Sequence, residues 1–217
     1  MSAIEQLPAL EIEGHTPSQP KGADHPMRVM TRRAAGLVGP PWDGQARAEV
    51  ASLFDSLAPE WHTRTSESRE RVVMDALERG EVGGDAGGGT VLELGSGIGA
   101  YSAPLAERFE RVVALDLSIE MLRLAADEPG LRVLADSATL PVPDGSADAV
   151  VLINMLLFPD EVDRVLAPGG TVVWVNSSGE STPIHLMPDE VADALPGTWT
   201  GVTSRAGIGL WAVLRRE

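Results

Sequence analysis

The sequence predicts an α/β fold in which a mostly parallel sheet is covered by helices on both faces, giving three layers. From residue 90 onward, short β-branched runs alternate with helical patterns, and this alternation is typical of a parallel sheet. The last two strand-like runs are separated only by Arg205, Ala206 and Gly207, which is too short for a parallel crossover. These two strands must therefore be antiparallel neighbours, and the sheet is expected to be mixed.

The individual elements follow from the positions of the apolar runs and of the residues that interrupt them. Strands are predicted at residues 90–94, 111–116, 131–135, 147–153 and 171–176, with the terminal pair at 198–204 and 208–214. Helices are predicted at residues 102–109, 119–126, 159–166 and 188–195. Alternation over this length places the carboxyl ends of the parallel strands at one edge of the sheet.

The first 85 residues have a different character. Residues 1–26 carry four prolines among polar residues without sustained periodicity, which predicts a mobile tail. Residues 27–85 are expected to form an N-terminal helical cap with two amphipathic helices, and a glycine-rich stretch at 83–89 predicts a flexible joint. The core is then expected to span residues 86–217.

Composition and charge exclude several functions. The 17 Lys and Arg residues stand against 32 Asp and Glu residues, and this formal charge of −15 opposes unspecific binding to nucleic acid or anionic membranes. The absence of cysteine removes disulfides, thiolate nucleophiles and thiolate metal sites, and no metal site is predicted. The N-terminus does not resemble a secretory signal, and no apolar run approaches the ~18 residues of a membrane-spanning helix. A cytoplasmic protein is expected, while the oligomeric state is not predicted.

A glycine-rich turn and several acids stand where the predicted strands end. In "VLELGSGIGAYS", residues 91–102, three glycines spaced two apart follow a strand, which predicts that a ligand or another part of the chain approaches the backbone closely. Asp116 ends the next strand, where a carboxylate can accept two hydrogen bonds from a ribose diol and would repel a phosphorylated ribose. Asp136 could accept from an adenine amine, and for both acids the alternative is a loop carboxylate that caps the following helix.

Taken together, these motifs resemble a known family. The run "VLELGSGIGAYSAPLA…RVVALDLSIEMLRLA…VLADSATLPVPDGSADAVVLINMLLF…EVDRVLAPGGTVVWVN" is similar to the class I S-adenosylmethionine-dependent methyltransferases, and nearest to small-molecule and quinone methylating enzymes. The resemblance covers about residues 88–178 and includes the segments "LPxPDGSxDxV" and "LxPGG". It implies a Rossmann-like fold with a seven-stranded sheet, S-adenosylmethionine as the cofactor, and a small molecule as the methyl acceptor.

The resemblance also implies roles for individual residues. Those expected to hold the cofactor are Glu93, Gly95, Ser96, Gly97, Asp116, Leu117, Asp136, Ser137 and Asn154. Among them, Glu93 and the glycine turn would line the methionine end, Asp116 the ribose, and Asp136 with Ser137 the adenine. The stretch "FDSLAPEW" resembles the family's "FDxxAxxY", so Trp61 stands where the family often has tyrosine.

The acceptor site is less specified by sequence. An apolar acceptor cavity is predicted from Trp42, Trp61, Tyr101, Met155, Phe158 and Met187, although such residues are more often plain core. His62 and His185 are the candidate catalytic bases, and for each the alternative is a surface or capping histidine. Two other functions remain open, namely a catalytically silent S-adenosyl-ligand module and a nicotinamide-dependent oxidoreductase.

Overall fold

The computed structural model describes residues 3–14, 19–83, 88–125 and 127–217, and within them eight strands form one mixed sheet in the order β1-β7-β8-β6-β5-β2-β3-β4. The strands are β1 Ala3–Gln6, β2 Thr90–Leu94, β3 Arg111–Asp116, β4 Leu131–Leu134, β5 Ala147–Ile153, β6 Leu166–Asn176, β7 Trp199–Ala206 and β8 Gly209–Arg216. The helices are α1 Pro26–Ala34, α2 Gly44–Leu57, α3 Glu67–Arg79, α4 Ser102–Ala106, α5 Ile119–Leu124, α6 Pro159–Val165 and α7 Pro188–Ala194. Two 3₁₀ helices span Ala58–Arg64 and Gly179–Ser181.

The central strands are buried on both faces, which explains their nearly continuous apolar sequences. In β5, Leu152 belongs to the core under α6 and α7, whereas its neighbours Val151 and Ile153 belong to the core under α3 and α4. Strand β6 alternates in the same way, with Trp174 on the first face and Val173 on the second. The predicted layers of helix, sheet and helix are thereby confirmed.

The predicted antiparallel terminal pair is also confirmed. β8 lies between β6 and β7 and pairs antiparallel with both. Residues 207 and 208 connect β7 to β8, so the connection is one residue shorter than predicted. Several other bounds differ: α4 and α5 end earlier than expected, and β6 begins at Leu166, directly after α6.

The prediction of seven strands is wrong by one, because β1 comes from the segment predicted as a mobile tail. β1 pairs in parallel with β7, with Ala3 opposite Thr200 and Gln6 opposite Thr203. Farther on, Ile12 is only 7% exposed and packs in the core that also holds α3. This part of residues 1–26 is therefore docked on the sheet. Residues 15–18 of the predicted tail and residues 84–87 of the predicted joint lie outside the described residues.

The carboxyl ends of β2, β3, β5 and β6 meet at one edge of the sheet, and the N-terminal helices lie across that edge. A third apolar cluster joins the two parts, with Ala34 of α1 and Val50 of α2 packed together with Leu156, Phe158 and Ile184. The helical segment predicted as a cap thus contributes directly to whatever site the strand ends form. None of the described helices is long and apolar enough to cross a membrane.

Candidate S-adenosyl-ligand and acceptor site

A cavity of about 270 Å³ lies between the strand ends and the N-terminal helices. It is lined by every residue predicted to hold a cofactor, namely Glu93, Gly95, Ser96, Gly97, Asp116, Leu117, Asp136, Ser137 and Asn154. Five of the six residues predicted for the acceptor also line it, namely Trp42, Trp61, Tyr101, Met155 and Phe158. The sixth, Met187, is 40% exposed and does not line the cavity.

The glycine turn after β2 adopts a conformation that side chains disfavour. Gly95 and Gly97 have φ angles of 68° and 56°, in the left-handed region. A Cβ at Gly95 would overlap the sulfur of Met155, and a Cβ at Gly97 would lie 3.4 Å from Nε1 of Trp61. The side chains nearest to these two Cβ positions are therefore those of Met155 and Trp61, which belong to the predicted acceptor wall.

Asp116 ties the end of β3 to the glycine turn. Its Oδ2 accepts a hydrogen bond from the Gly97 amide at 2.7 Å, and its Oδ1 accepts one from the Ser118 amide at 2.8 Å. Burial raises the pKa of Asp116, and the backbone N–H groups of Ser118, Gly97 and Leu117 partly offset this by favouring the carboxylate. A carboxylate has about four acceptor positions, so the side chain retains capacity for ligand hydroxyls in the cavity.

Glu93 is a buried carboxyl beneath the glycine turn. It is only 2% exposed, and its Oε2 accepts a hydrogen bond from Ser102 Oγ at 2.6 Å. Burial raises the pKa of Glu93 to about 7, against the smaller opposing effects of Ser102 and Arg132. The cavity therefore contains a group whose charge changes close to neutral pH.

Of the two roles that the sequence left open for Asp136, the structure shows the local capping role, and the contact with adenine stays a prediction. Its Oδ1 accepts from the Ala138 amide at 2.9 Å, which is a local cap, and its Oδ2 accepts from Trp42 Nε1 at 3.1 Å. The ring of Trp42 packs edge-on against Phe158, with ring centroids 5.1 Å apart. Trp42, which belongs to the N-terminal segment, thus connects Asp136 to the aromatic ring of Phe158.

Asn154 follows β5 and is locked to the end of β6. Its φ of 51° is left-handed, which asparagine tolerates better than most residues. The Asn154 Nδ2 donates to Ser177 Oγ at 2.9 Å, and its Oδ1 accepts from the Ser177 amide at 2.9 Å. Asn154 therefore holds the two strand ends together at the cavity wall.

The N-terminal segment is fixed to the sheet by a contact that the sequence did not reveal. Asp55, near the end of α2, accepts from Ser118 Oγ at 2.5 Å and from the Glu120 amide at 3.3 Å, next to the start of α5. The following 3₁₀ helix carries Trp61, which packs edge-on against Phe54 with centroids 5.7 Å apart. The resemblance of "FDSLAPEW" to a family stretch was the signal that could have identified Asp55.

The structure does not bring either candidate catalytic histidine into the cavity. His62 is exposed on the 3₁₀ helix and does not line the cavity. His185 is 6% exposed, and its pKa is lowered to about 4 by burial and by the nearby charge of Arg28. The cavity instead contains two arginines that the sequence analysis missed, Arg64 and Arg69.

The lining fits an adenosyl compound in three respects. Ser96 Oγ is buried in the glycine turn and has no hydrogen-bond partner among the described residues, so it is free to bond a ligand. Asp116 stands where a ribose diol would find an acceptor, and Glu93 provides a carboxyl for a cationic group. On the opposite side, the aromatic wall formed by Trp42 and Trp61 of the N-terminal segment supplies an apolar surface.

Comparisons with known proteins agree with this geometry. Residues 92–174 match the family model of a methyltransferase domain. A demethylmenaquinone methyltransferase of Paenarthrobacter aurescens (strain TC1) is 32% identical over 174 residues, which cover 72% of this chain and 66% of that protein. One from Mycolicibacterium gilvum (strain PYR-GCK) is 30% identical over 172 residues, covering 72% of this chain and 73% of that protein. The chain belongs to the class I S-adenosylmethionine-dependent methyltransferases.

A solved structure supports the same family and its cofactor. The complex of DhpI with S-adenosylhomocysteine superposes with a TM-score of 0.62 at 25% identity, covering 76% of this chain and 94% of DhpI. S-adenosylmethionine is accordingly the cofactor of the family to which this chain belongs. The chain spans between 54% and 66% of the length of the first four curated relatives that it matches.

Binding of S-adenosylmethionine is expected to strengthen as the pH rises through about 7. The pKa of Glu93 is about 7, so the side chain is half protonated at neutral pH, and the ionised form attracts a cationic ligand. Below this pKa the affinity should fall by up to about tenfold per pH unit, and above it the affinity should level off. Calorimetric titrations at several values between about pH 6 and pH 8 measure this dependence.

The control is Glu93→Gln, which should bind more weakly and with little pH dependence in this range. The folded protein binds the Glu93 proton more tightly than the unfolded chain does. The protonated side chain therefore stabilises the fold below the pKa of Glu93 in the unfolded chain, and this contribution to the free energy of unfolding is lost as the pH rises through about 7. Glu93→Gln should therefore gain stability relative to the wild type on going from acidic to alkaline pH. Equal pH dependence of ligand binding in the two proteins would contradict the role of Glu93.

Proposed function

We propose that the protein transfers the methyl group of S-adenosylmethionine to an aromatic hydroxyl or ring carbon of a small, largely apolar molecule such as a quinol. The observation that carries this proposal is the division of one cavity into an acidic wall at the strand ends and an aromatic wall from the N-terminal segment. The acidic wall suits an adenosyl group, and the aromatic wall suits a flat apolar acceptor. The curated relatives named demethylmenaquinone methyltransferase support the same acceptor class.

The chain's own residues supply binding, alignment and exclusion of water. Asp116 would accept the ribose hydroxyls, Glu93 would face the cationic methionine end, and Asp136 would meet the adenine amine beside Trp42. When bound, S-adenosylmethionine supplies an activated methyl group on a sulfonium. Met155 and Trp61, which lie over the glycine turn, would close that end of the cavity against water.

A quinol acceptor is also compatible with the absence of either histidine from the cavity lining. A phenolic hydroxyl has a pKa near 10, so a small fraction is ionised at neutral pH, whereas an aliphatic alcohol needs a general base. Tyr101, which lines the cavity, has its pKa raised to about 12 by burial, so it remains a neutral hydroxyl.

Cytoplasmic location stays a prediction.

The test is methyl transfer to a quinol probe. The purified chain is incubated with S-adenosylmethionine and reduced 1,4-naphthoquinone, and the methylated product and S-adenosylhomocysteine are measured by mass spectrometry. Formation of both in equal amounts supports the proposal. Cyclohexanol serves as the aliphatic control and should give no product.

Two other outcomes have distinct meanings. Tight binding of S-adenosylhomocysteine without transfer to any aromatic alcohol or amine would favour a catalytically silent module. Binding of NADH in place of S-adenosylhomocysteine would contradict the proposed cofactor and favour an oxidoreductase.

A further inference from the structure

The connection between α1 and α2 exposes a run of residues without a polar side chain. Residues 36–41, with the sequence GLVGPP, are all exposed, and Leu37 and Val38 are 37% and 42% exposed. Gly36 and Gly39 have left-handed φ angles of 70° and 71°, and a Cβ added to either would meet no atom within 4 Å. This apolar turn, residues 36–41, therefore projects from the protein and is not covered by any of the described residues.

Arg33 holds the apolar turn in one shape. Its Nε donates to the carbonyl of Pro40 at 2.8 Å, and its Nη2 donates to the carbonyl of Pro41 and to Oδ2 of Asp43, both at 2.8 Å. Asp43 in turn caps α2, because its Oδ1 accepts from the Ala46 amide at 2.8 Å. The base of the turn is thus fixed by charge-assisted hydrogen bonds, which keep its apolar tip directed outward.

The apolar turn leads directly into the cavity. Trp42 follows it and lines the cavity, where its Nε1 donates to Asp136 and its ring packs against Phe158. Met27 of α1 and Leu53 of α2, the helices on either side of the turn, line the cavity as well. Leu53 is also 39% exposed, so this wall of the cavity reaches the protein surface. The N-terminal wall of the cavity is therefore continuous with the apolar turn.

The charge around the apolar turn differs from that of the whole chain. The formal charge of −15 opposes binding of the chain as a whole to an anionic surface, but residues 21–47 carry five Lys or Arg and two Asp, a formal charge of +3. Lys21 and Arg47 are exposed and form no ion pair with another described residue. Arg47 lies at the start of α2, close in sequence to the turn. An exposed apolar tip with cations beside it suits an anionic lipid surface.

We propose that the apolar turn is a docking surface for an anionic lipid bilayer. A stable protein interface needs about 800 Å² on each partner, far more than six small residues offer, whereas shallow insertion into a bilayer needs only a few apolar side chains and nearby cations. The docking is reversible, because each of these contributions is weak. It places the N-terminal wall of the cavity against the bilayer, from which a lipid-soluble acceptor enters, and this delivery role rests on the proposed function.

Flotation of the full chain with lipid vesicles tests the docking. The vesicles contain equal amounts of phosphatidylcholine and phosphatidylglycerol, and the bound fraction is measured without cofactor or acceptor. We expect the wild type to float with them and Leu37→Ser to bind about tenfold more weakly, because an inserted leucine side chain is lost. Arg47→Gln should bind these vesicles about fivefold more weakly and should bind vesicles of phosphatidylcholine alone as the wild type does.

Leu131→Ser and Arg71→Gln are the matched controls. Leu131 is 64% exposed at the amino end of β4, whereas the cavity lies at the carboxyl ends of the strands, and Arg71 is exposed on α3. Neither residue lines the cavity, and each control makes the same chemical change as its test variant outside the apolar turn. Both should bind vesicles as the wild type does. Equal losses in Leu37→Ser and Leu131→Ser would overturn the proposal, as would a wild type that does not float.

Other occupants of the apolar turn would give different results. A second copy of the chain would appear as a dimer in analytical ultracentrifugation, and Leu37→Ser would dissociate it. A protein partner would leave the purified wild type monomeric and unbound to vesicles. Either result, without flotation of the wild type, overturns bilayer docking.

The proposed function fails in a different way. Transfer to reduced 1,4-naphthoquinone in solution does not need docking, so Leu37→Ser should keep the wild-type rate with it. With a naphthoquinol that carries a long alkyl chain and is embedded in the vesicles, the rate of Leu37→Ser should fall about tenfold. A wild type that floats but methylates neither quinol overturns the proposed function and the delivery role, while docking stands. A wild type that methylates the quinol in solution but does not float overturns docking alone.

Discussion

Replacing Asp116 with alanine is expected to weaken binding of S-adenosylhomocysteine by about 10- to 100-fold, which corresponds to the loss of one or two charge-assisted hydrogen bonds to a ribose diol. Asp116 lines the cavity at the end of β3 and is 9% exposed. Its existing bonds to the amides of Gly97 and Ser118 fix the direction of the carboxylate, so it is preorganised for the diol. Isothermal titration of the ligand into wild type and variant measures the change.

Asp116→Ala also leaves two amides without their acceptor, so the ligand effect must be separated from a disturbed turn. Asp116→Asn is the matched variant, because its amide oxygen can still accept one backbone bond while the negative charge is lost. We expect this variant to have a higher thermal midpoint than Asp116→Ala, because it orphans one backbone amide instead of two, and to bind the ligand about tenfold more weakly than the wild type. Wild-type affinity in both variants would remove Asp116 from the ribose site.

The central fold was predictable because its strands are defined by their own composition. β5, with the sequence ADAVVLI, is buried along nearly its whole length, and such a run is recognisable without knowledge of its neighbours. The antiparallel β8 was predictable for a different reason, since the short connection between the last two strands excludes a crossover. Both inferences use local sequence and chain geometry alone.

β1 was not predictable on these grounds. Of its four residues, AIEQ, the glutamate and the glutamine are exposed, and only Ile4 packs against the main core. The strand exists because β7 offers a free edge, and because Leu7 beyond it donates to Thr203 at 2.8 Å. A short edge strand is determined by its partner, and the surrounding prolines favoured the opposite interpretation.

The candidate site divides in the same way. That the residues proposed to bind the cofactor line one cavity was predictable because they lie at the ends of parallel strands, which meet at one edge whatever the details of packing. Arg64, Arg69 and Asp55 were missed because their place depends on how the N-terminal helices dock across that edge. The two histidines were proposed for their chemistry and for their positions, His62 directly after "FDSLAPEW" and His185 after the fifth predicted strand, but no sequence feature fixed the direction of either side chain.

Replacing Asp75 with alanine is expected to lower the free energy of unfolding by about 3 kcal/mol, since it leaves the half-buried Arg79 without its carboxylate and the buried indole N–H of Trp211 without an acceptor. Asp75 is 5% exposed on α3; its two oxygens accept from Arg79 at 2.7 and 2.6 Å, and Oδ2 also accepts from Trp211 Nε1 at 2.7 Å. Trp211 is fully buried in β8. Urea unfolding followed by circular dichroism measures the loss.

The same network reaches the segment after β1, because Arg79 donates to the carbonyl of Pro8 at 2.7 Å and to Ser204 Oγ at 3.0 Å. Asp75→Ala should therefore also loosen the N-terminal strand, which hydrogen exchange of the β1 amides would detect. Glu78→Ala is the matched control on the same helix, since Glu78 is exposed and should change stability by less than about 0.5 kcal/mol.

Pairing the substitution with Trp211→Phe separates the hydrogen bond from general packing. If the indole N–H matters, Asp75→Ala should be less harmful in the Trp211→Phe background than in the wild type, because one of the orphaned groups is already gone. If the changes in the free energy of unfolding of the two substitutions simply add, the stability lost in Asp75→Ala comes from the lost contact with Arg79 and not from the indole N–H of Trp211. A stability equal to that of Glu78→Ala would contradict a structural role for Asp75, and α3 would then have to be held in place by its apolar face, including Val72 and Leu77.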